Sequence, residues 1–251
     1  MKTSQIFVLL MAVTLTAFAP VQKLTRVYLI GDSTMSEKLV SAYPETGWGM
    51  PFQYFFDSNV VVENHAKNGR STKTFISENR WTPIAEKLQP GDWVFIQFGH
   101  NDESKEKQER YTRPEQYRQN LLGFVKETRA RQANPVLLTP VARRRFQDGK
   151  ILESHAEYSA LVREVAKSEG VPLIDIDKAS MELYQRMGEE NSKLLFLHLE
   201  PGEHPNYPDG KVDNTHFTEL GARLIAQLVL KEMVALKLGL AEHVVKPEPK
   251  R

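Results

Sequence analysis

The stretch that decides the fold is RVYLIGDSTM, residues 26–35. Its first half, residues 26–30, is short, apolar and rich in residues that favour β-structure, which predicts a buried strand. The strand ends on Gly31, Asp32 and Ser33, so the serine stands at its carboxyl end. In open α/β sheets, ligands bind outside that end of the strands. Taken alone, the turn could equally be a simple helix cap, because aspartate and serine are preferred N-cap residues.

Four further runs have the same β-prone character, and segments with helical spacing lie between them. The predicted strands are residues 60–64, 93–98, 135–140 and 171–175. Strands that alternate with helices in this way predict an α/β fold, with a parallel sheet covered by helices on both faces.

Two local predictions concern the second half of the chain. Ser154 is expected to begin a helix, because Glu157 three residues later completes a capping box. Residues 189–212 hold glycines and prolines and show little periodicity, so we expect a long loop there.

The composition limits which classes of protein this chain can belong to. The chain has 251 residues, 41% of them hydrophobic and 26% charged, and no linker or repeat divides it, so we expect one domain over residues 20–251. Lys and Arg total 33 against 32 Asp and Glu, a net charge of +1 that gives no support for nucleic-acid binding. With no cysteine, disulfides and cysteine nucleophiles are excluded. A monomer is the expected state.

Residues 1–19 have the pattern of a secretory signal peptide. Lys2 precedes an apolar run over residues 6–13, and the segment ends in an Ala-x-Ala sequence at residues 17–19. A membrane anchor is the alternative, but the run is short for a span. No cysteine follows, which excludes a bacterial lipoprotein. We therefore expect a secreted or periplasmic protein that is free of the membrane once the signal is removed.

Polar loops at or beside the carboxyl ends of the predicted strands carry the groups that acyl transfer requires. Ser33 is a weak nucleophile until a histidine takes its proton. His216 could serve as that base, with Asp213 three residues earlier to orient it. The backbone N–H groups of Ser33 and Gly69 and the side-chain amide of Asn101 could stabilise the oxyanion. As an isolated pair, Asp213 and His216 could also be a surface turn.

Four motifs in this order resemble those of the SGNH (GDSL-like) hydrolases. They are GDS at residues 31–33, NG at 68–69, GHND at 99–102 and DxxH at 213–216. The resemblance spans nearly all of the chain after residue 19. It implies a serine-esterase fold, a three-layer α/β/α sandwich with a flavodoxin-like, five-stranded parallel sheet.

The resemblance also implies a role for each motif residue. Ser33 would be the nucleophile, His216 the base and Asp213 its orienting acid, while Ser33, Gly69 and Asn101 would form the oxyanion hole. His198, His204 and Asp209 in the predicted long loop could suggest a metal site, but they lack regular ligand spacing. We therefore expect no metal, and we expect no cofactor.

One branch of the family is more similar than the rest. The first motif differs from the GDSL sequence after which the family is named, because Thr34 and Met35 stand where leucine is usual. Together with GWG at 47–49, NGRS at 68–71 and DNTHF at 213–217, it resembles the rhamnogalacturonan acetylesterases, which remove acetyl groups from galacturonate in pectin. This implies an acetylated pectic polysaccharide or oligosaccharide as substrate. The alternatives are a lipase or lysophospholipase of the same family and a non-catalytic carbohydrate-binding protein on the same fold.

Further residues are candidates for contacts with such a substrate. An arginine fork matches a uronate carboxylate, and aromatic rings stack on sugars. Each candidate could equally be structural or part of a solvated face. The candidates are Arg143, Arg144, Arg145, Trp48, Tyr207 and Arg70.

Overall fold

The structure, a computed structural model, describes residues 24–246. The predicted signal peptide at residues 1–19 lies outside the described residues. The strands are β1 Thr25–Gly31, β2 Val60–Asn64, β3 Trp93–Gln97, β4 Asn134–Leu138, β5 Phe146–Gln147, β6 Lys150–Ile151, β7 Leu173–Ile174, β8 Phe196–Leu199 and β9 Lys211–Phe217. The α-helices are α1 Gly49–Phe52, α2 Thr72–Ser77, α3 Thr82–Lys87, α4 Pro114–Ala130, α5 Ala156–Glu169, α6 Ile176–Asn191 and α7 Glu219–Ala235. Short 3₁₀ helices span Val40–Ala42, Gln53–Phe55, Ser192–Leu195 and Gly239–His243.

The central sheet has five parallel strands in the order β2-β1-β3-β4-β7. This is the flavodoxin-like order, in which the chain changes direction across the sheet beside the first strand. All five strands lie where the β-prone runs predicted them, and the predicted fold class is confirmed. β7 is the shortest, because only Leu173 and Ile174 pair with β4.

Alternate side chains of β1 lie on opposite faces of the sheet, and both faces are buried. Val27 and Leu29 of β1 belong to a core that also holds residues of α1, α6 and α7. Tyr28 and Ile30 belong to a second core with residues of α2, α3, α4 and α5. A strand with both faces covered must be apolar at every position, which is why β1 lacks polar alternation. The result is the expected three-layer sandwich.

The predicted capping box at Ser154 is wrong. Helix α5 begins at Ala156, its N-cap is His155, and no side chain caps it. The hydroxyl of Ser154 instead accepts a hydrogen bond from the backbone N–H of Arg143, at 2.9 Å. A tertiary partner has therefore replaced the local one that the spacing suggested.

The predicted loop at residues 189–212 is also wrong in part. Helix α6 continues to Asn191 past a kink at Gly188. Strands β8 and β9 then form an antiparallel hairpin, with Phe196 paired to Phe217. Both phenylalanines are buried, whereas Val212 near the far end is 79% exposed. The hairpin thus packs into the core at its Phe196–Phe217 end, and its periodicity is too short to recognise from the sequence.

Between residues 24 and 246, we find no helix with both the length and the apolar character needed to cross a membrane.

Candidate active site

Ser33, His216 and Asp213 form a continuous hydrogen-bonded chain. Ser33 lies two residues beyond the end of β1, and the other two lie on β9. The Oγ of Ser33 lies 2.9 Å from Nε2 of His216. The Nδ1 of His216 lies 2.8 Å from Oδ2 of Asp213. The three side chains therefore have the geometry in which a serine hydroxyl can give up its proton to a histidine.

The carboxylate of Asp213 is held in its charged form. Burial acts to raise its pKa, but the hydrogen bond and the charge of His216 outweigh that effect, and the pKa lies well below its usual value. Its second oxygen, Oδ1, accepts the backbone N–H groups of Thr215 at 2.8 Å and of His216 at 3.0 Å. The three-residue spacing of aspartate and histidine closes this small ring, so both the tautomer and the orientation of the imidazole are set locally.

The site offers three potential oxyanion donors, one of them the backbone N–H of Ser33 itself. Among residues 24–246, the backbone N–H groups of Ser33 and Gly69 have no hydrogen-bond acceptor. The side-chain amide of Asn101 donates one hydrogen bond to the carbonyl of Arg70, at 2.9 Å, which leaves its second N–H available. Gly69 has a φ of 76°, a left-handed conformation that glycine adopts at no steric cost. The sequence-predicted oxyanion residues are thus brought together with free donors.

These groups lie in an open, polar cleft of about 490 Å³. Its charged lining residues are Glu45, Glu106, Lys107, Arg110 and Arg143. Such a lining suits a polar, hydroxyl-rich substrate better than a long acyl chain.

Sequence comparison decides the family. The model of the GDSL-like lipase/acylhydrolase family matches residues 29–224, which include the whole hydrogen-bonded chain. The chain belongs to the GDSL-like lipase/acylhydrolase family. This hydrolase is therefore a carboxylic ester hydrolase, as the motifs predicted.

Several similar proteins come from bacteria. The rhamnogalacturonan acetylesterase RhgT of Bacillus subtilis (strain 168) is 43% identical over 231 residues, which cover 91% of this chain and 98% of the relative. The probable rhamnogalacturonan acetylesterase YesY of the same strain is 37% identical over 221 residues, covering 88% of this chain and 97% of the relative. A solved catalytic mutant of Axe2, an acetylxylan esterase from Geobacillus stearothermophilus, matches with a TM-score of 0.60 at 19% identity, over 90% of this chain and 99% of that chain. This structure shares the fold.

A chain of buried polar side chains supports the turn at residues 31–34 of this hydrolase. The Oδ1 of Asp32 accepts the hydroxyl of Thr34 at 2.8 Å, and that hydroxyl accepts the side-chain amide of Gln97 at 2.7 Å. The Oε1 of Gln97 in turn accepts the indole N–H of Trp48, also at 2.8 Å. Thr34 occupies the position of the leucine in the GDSL motif. Its hydroxyl links Asp32 to Gln97, because it donates one hydrogen bond and accepts the other.

The expectation that Trp48 stacks on a sugar is wrong. Its side chain is fully buried. A Cβ on the adjacent Gly47 would lie 2.1 Å from the carbonyl oxygen of Ser36, so the GWG motif lets two backbone segments approach closely around a core tryptophan.

Asp32 places a buried negative charge behind Ser33. Burial acts to raise the pKa of Asp32, but the attraction of His100 and hydrogen bonds from Thr34 hold it at about 2. Burial lowers the pKa of His100 to about 4, so the imidazole is neutral near pH 7. The two side chains are 3.3 Å apart, from Oδ2 of Asp32 to Nδ1 of His100.

Lys38 is a structural partner of the site that sequence reasoning missed. Its Nζ donates to the carbonyl of Ser33 at 2.6 Å and to Oδ1 of Asn68 at 2.8 Å. It also pairs with Glu45 at 2.6 Å. Burial lowers the pKa of the ammonium group. This lysine joins the turn at residues 31–34 to the loop that holds Asn68 and Gly69, but nothing in its local sequence distinguishes it from a surface lysine.

The three consecutive arginines at residues 143–145, the arginine triplet, have three different environments. Arg143 lines the cleft, where its Nη1 donates to Oγ1 of Thr215 at 2.5 Å. Arg145 is exposed and does not line the cleft. Arg144 is only 6% exposed, so the expectation that it binds substrate is wrong.

Arg144 instead fastens β9 to the rest of the protein. It donates from Nη1 to Oδ1 of Asn214 at 3.0 Å and from its backbone N–H to the carbonyl of Asn214 at 2.8 Å. It also donates to Oγ of Ser192 at 3.0 Å and to the carbonyl of Glu189. The strand that carries Asp213 and His216 is thereby tied to the loop after β4.

The two remaining candidates lie outside the cleft lining. Tyr207 is half-buried, and its hydroxyl donates to the carbonyl of Ala42 at 2.8 Å. The guanidinium of Arg70 is held by Glu78 at 2.9 Å and by the carbonyl of Asn68 at 2.8 Å. No cluster of three or more potential metal ligands occurs within the described part of the chain.

Proposed function

We propose that this hydrolase removes acetyl groups from an acetylated pectic polysaccharide, with rhamnogalacturonan as the substrate. The observation that carries the proposal is the 43% identity to a rhamnogalacturonan acetylesterase over 91% of the chain. The contact between Ser33 and His216 supplies the chemistry, and the polar, charged cleft supports a carbohydrate substrate rather than a lipid.

In the proposed reaction, Oγ of Ser33 attacks the acetyl carbonyl carbon while Nε2 of His216 takes the hydroxyl proton. The oxyanion forms against the N–H groups of Ser33, Gly69 and Asn101. It collapses, the sugar oxygen leaves, and His216 returns the proton to it. Water, deprotonated by His216, then hydrolyses the acetyl-serine, which releases acetate and restores the serine. Asp213 stays ionised and stabilises the imidazolium throughout.

The experiment compares acetate release from acetylated rhamnogalacturonan, acetylated homogalacturonan and acetylated xylan under identical conditions. We expect the highest kcat/KM on rhamnogalacturonan, and no acetate from the Ser33→Ala control. An equal or higher value on xylan would overturn the pectic assignment. No turnover of any acetyl ester, a small aryl acetate included, would favour the non-catalytic binding protein. A preference for long acyl esters over acetyl esters would favour a lipase.

We also propose that the protein is secreted or periplasmic, on the strength of residues 1–19. Expression of the full chain, followed by mass spectrometry of the mature amino terminus, tests this. Loss of about twenty residues and appearance outside the cytoplasm are expected. An intact amino terminus on a cytoplasmic protein would contradict it.

A further inference from the structure

Arg110 is a cation of the cleft without a protein partner. Its side chain lines the same cleft as Ser33 and His216. Within residues 24–246, its guanidinium makes no hydrogen bond and no ion pair. Its Nε is moreover buried from solvent. An unpaired, partly buried arginine is costly to maintain, which points to a partner that is not part of the protein.

The other arginines near the site are already engaged. Arg143 donates to Thr215 and lies 3.5 Å from a carboxylate oxygen of Glu103, while Arg70 is paired with Glu78. Each has to give up or share a protein partner before it binds an anion. Arg110 does not.

Arg110 lies close to two of the predicted oxyanion donors, Gly69 and Asn101. A Cβ added to Gly69 would lie 3.4 Å from Nη1 of Arg110, so the guanidinium stands beside the predicted oxyanion hole. Its backbone N–H donates to the carbonyl of Lys107 at 3.0 Å. Two residues on, the backbone N–H of Thr112 donates to the carbonyl of Asp102 at 3.0 Å, next to Asn101. The cation is therefore held close to the position of the scissile ester.

We propose that Arg110 binds the carboxylate of a uronic acid residue at or next to the acetylated sugar. The inference rests on the proposed function, because it assumes a substrate that contains uronate. A guanidinium presents parallel N–H groups that match a carboxylate, and Arg110 has donors to spare. Arg110, rather than the triplet at residues 143–145, is then the residue that makes this hydrolase prefer a uronate-containing polysaccharide.

The test uses one substrate in two charge states. Acetylated rhamnogalacturonan oligosaccharides are assayed with free carboxylates and after methyl esterification of those carboxylates. Arg110→Gln retains hydrogen-bonding groups but removes the charge. We expect the ratio of kcat/KM for the free acid to that for the methyl ester to fall about 10- to 100-fold, through KM, the range expected for a lost charged hydrogen bond. Arg110→Lys, which keeps the charge without the fork, should fall in between.

The matched control is Arg131→Gln. Arg131 is an exposed arginine after α4, at the amino-end edge of the sheet opposite the cleft, and its side chain has no partner in the described chain. This variant should leave both substrates unaffected. Thermal melting verifies that every variant is folded.

The outcomes separate the inference from the proposed function. The wild-type enzyme alone tests the function: failure to deacetylate the free-acid oligosaccharide, with turnover of acetylated xylan, would overturn the function and this inference with it. If the wild type is active but Arg110→Gln lowers kcat equally on both substrates, the arginine acts on the reaction itself, and the inference is wrong. A shift in the ratio with Arg143→Gln and none with Arg110→Gln would assign the carboxylate to Arg143 instead.

Discussion

At the scale of single residues, the contact between Ser33 and His216 has a direct consequence. Removing the Ser33 hydroxyl removes the nucleophile and leaves the rest of the cleft in place. We expect Ser33→Ala to reduce kcat roughly 10⁴-fold or more on a small aryl acetate, with an unchanged melting temperature. His216→Ala should have an effect of similar size. Near-normal turnover by folded Ser33→Ala would end the serine-esterase mechanism.

Asn101 is expected to act mainly in the transition state. Asn101 lines the cleft with Ser33, and its second amide N–H makes no hydrogen bond within the described chain. A donor of this kind binds the charged oxyanion of the transition state more strongly than the ground-state ester. Asn101→Ala should therefore lower kcat roughly 10²- to 10³-fold and change KM little. A change confined to KM would make Asn101 a substrate-binding residue. Since its other N–H holds the carbonyl of Arg70, thermal melting is the necessary control.

At the scale of elements, the hydrogen bonds of Arg144 to Asn214 hold β9 against the loop after β4. Arg144→Gln removes several hydrogen bonds of a buried guanidinium, among them those to Asn214 and Ser192. We expect the free energy of unfolding to fall by about 3 kcal/mol, because buried acceptors are left unpaired. Turnover per folded molecule should fall on neutral and anionic esters alike, because Asp213 and His216 lose their support.

The matched control for that change is Arg145→Gln, the exposed neighbour outside the cleft lining. Urea denaturation and kcat on both esters are the measurements. If Arg144→Gln had wild-type stability and lost activity only on anionic esters, the original expectation of a uronate-binding Arg144 would be restored.

Asp102 joins the start of α2 to the loop after β3, and it makes that junction sensitive to pH. Its Oδ1 accepts both the backbone N–H and the hydroxyl of Thr72, at 2.9 and 2.6 Å. Burial raises the pKa of Asp102 from 3.8 to about 7, although the hydrogen bonds from Thr72 act in the opposite direction. Between about pH 4 and pH 7, the folded protein therefore keeps a proton on Asp102 that the unfolded chain has already released.

The sign of the linkage follows from that difference. Where the folded state binds more protons, the free energy of unfolding falls as pH rises. Relative to Asp102→Asn, which keeps an acceptor for Thr72 but does not titrate, the wild type should lose on the order of 4 kcal/mol between about pH 4 and pH 7. Urea denaturation of both proteins across that range is the measurement. Parallel stability curves would show that Asp102 is ionised throughout.

At the scale of the whole molecule, the proposed reaction assigns each step to polar side chains and backbone donors of the chain. The absence of a cluster of metal ligands among the described residues leads to a prediction for solution. Prolonged treatment with a chelator, followed by dialysis, should leave kcat on an aryl acetate unchanged. Loss of activity on chelation and recovery with Zn²⁺ or Ca²⁺ would show that the histidines of the β8–β9 segment hold a metal.

The amino-acid sequence by itself determined the five-stranded sheet and the residues that meet at its edge. Strands buried on both faces are apolar throughout, so their runs are visible without coordinates. The loops that follow them carry Ser33, Gly69 and Asn101, and parallel strands bring their carboxyl ends to one edge. The residue types that acyl transfer requires could therefore be found by order and position.

Only the tertiary structure decided how the remaining side chains are used. Trp48 meets Gln97, Arg144 meets Asn214 and Lys38 meets Asn68, in each case a partner thirty or more residues away. Local sequence holds no information on such a partner, so neither the burial of Trp48 and Arg144 nor the unpaired state of Arg110 could be foreseen. A side chain becomes structural or available to a ligand according to which groups the fold places beside it, because a buried polar group must be satisfied by one or the other.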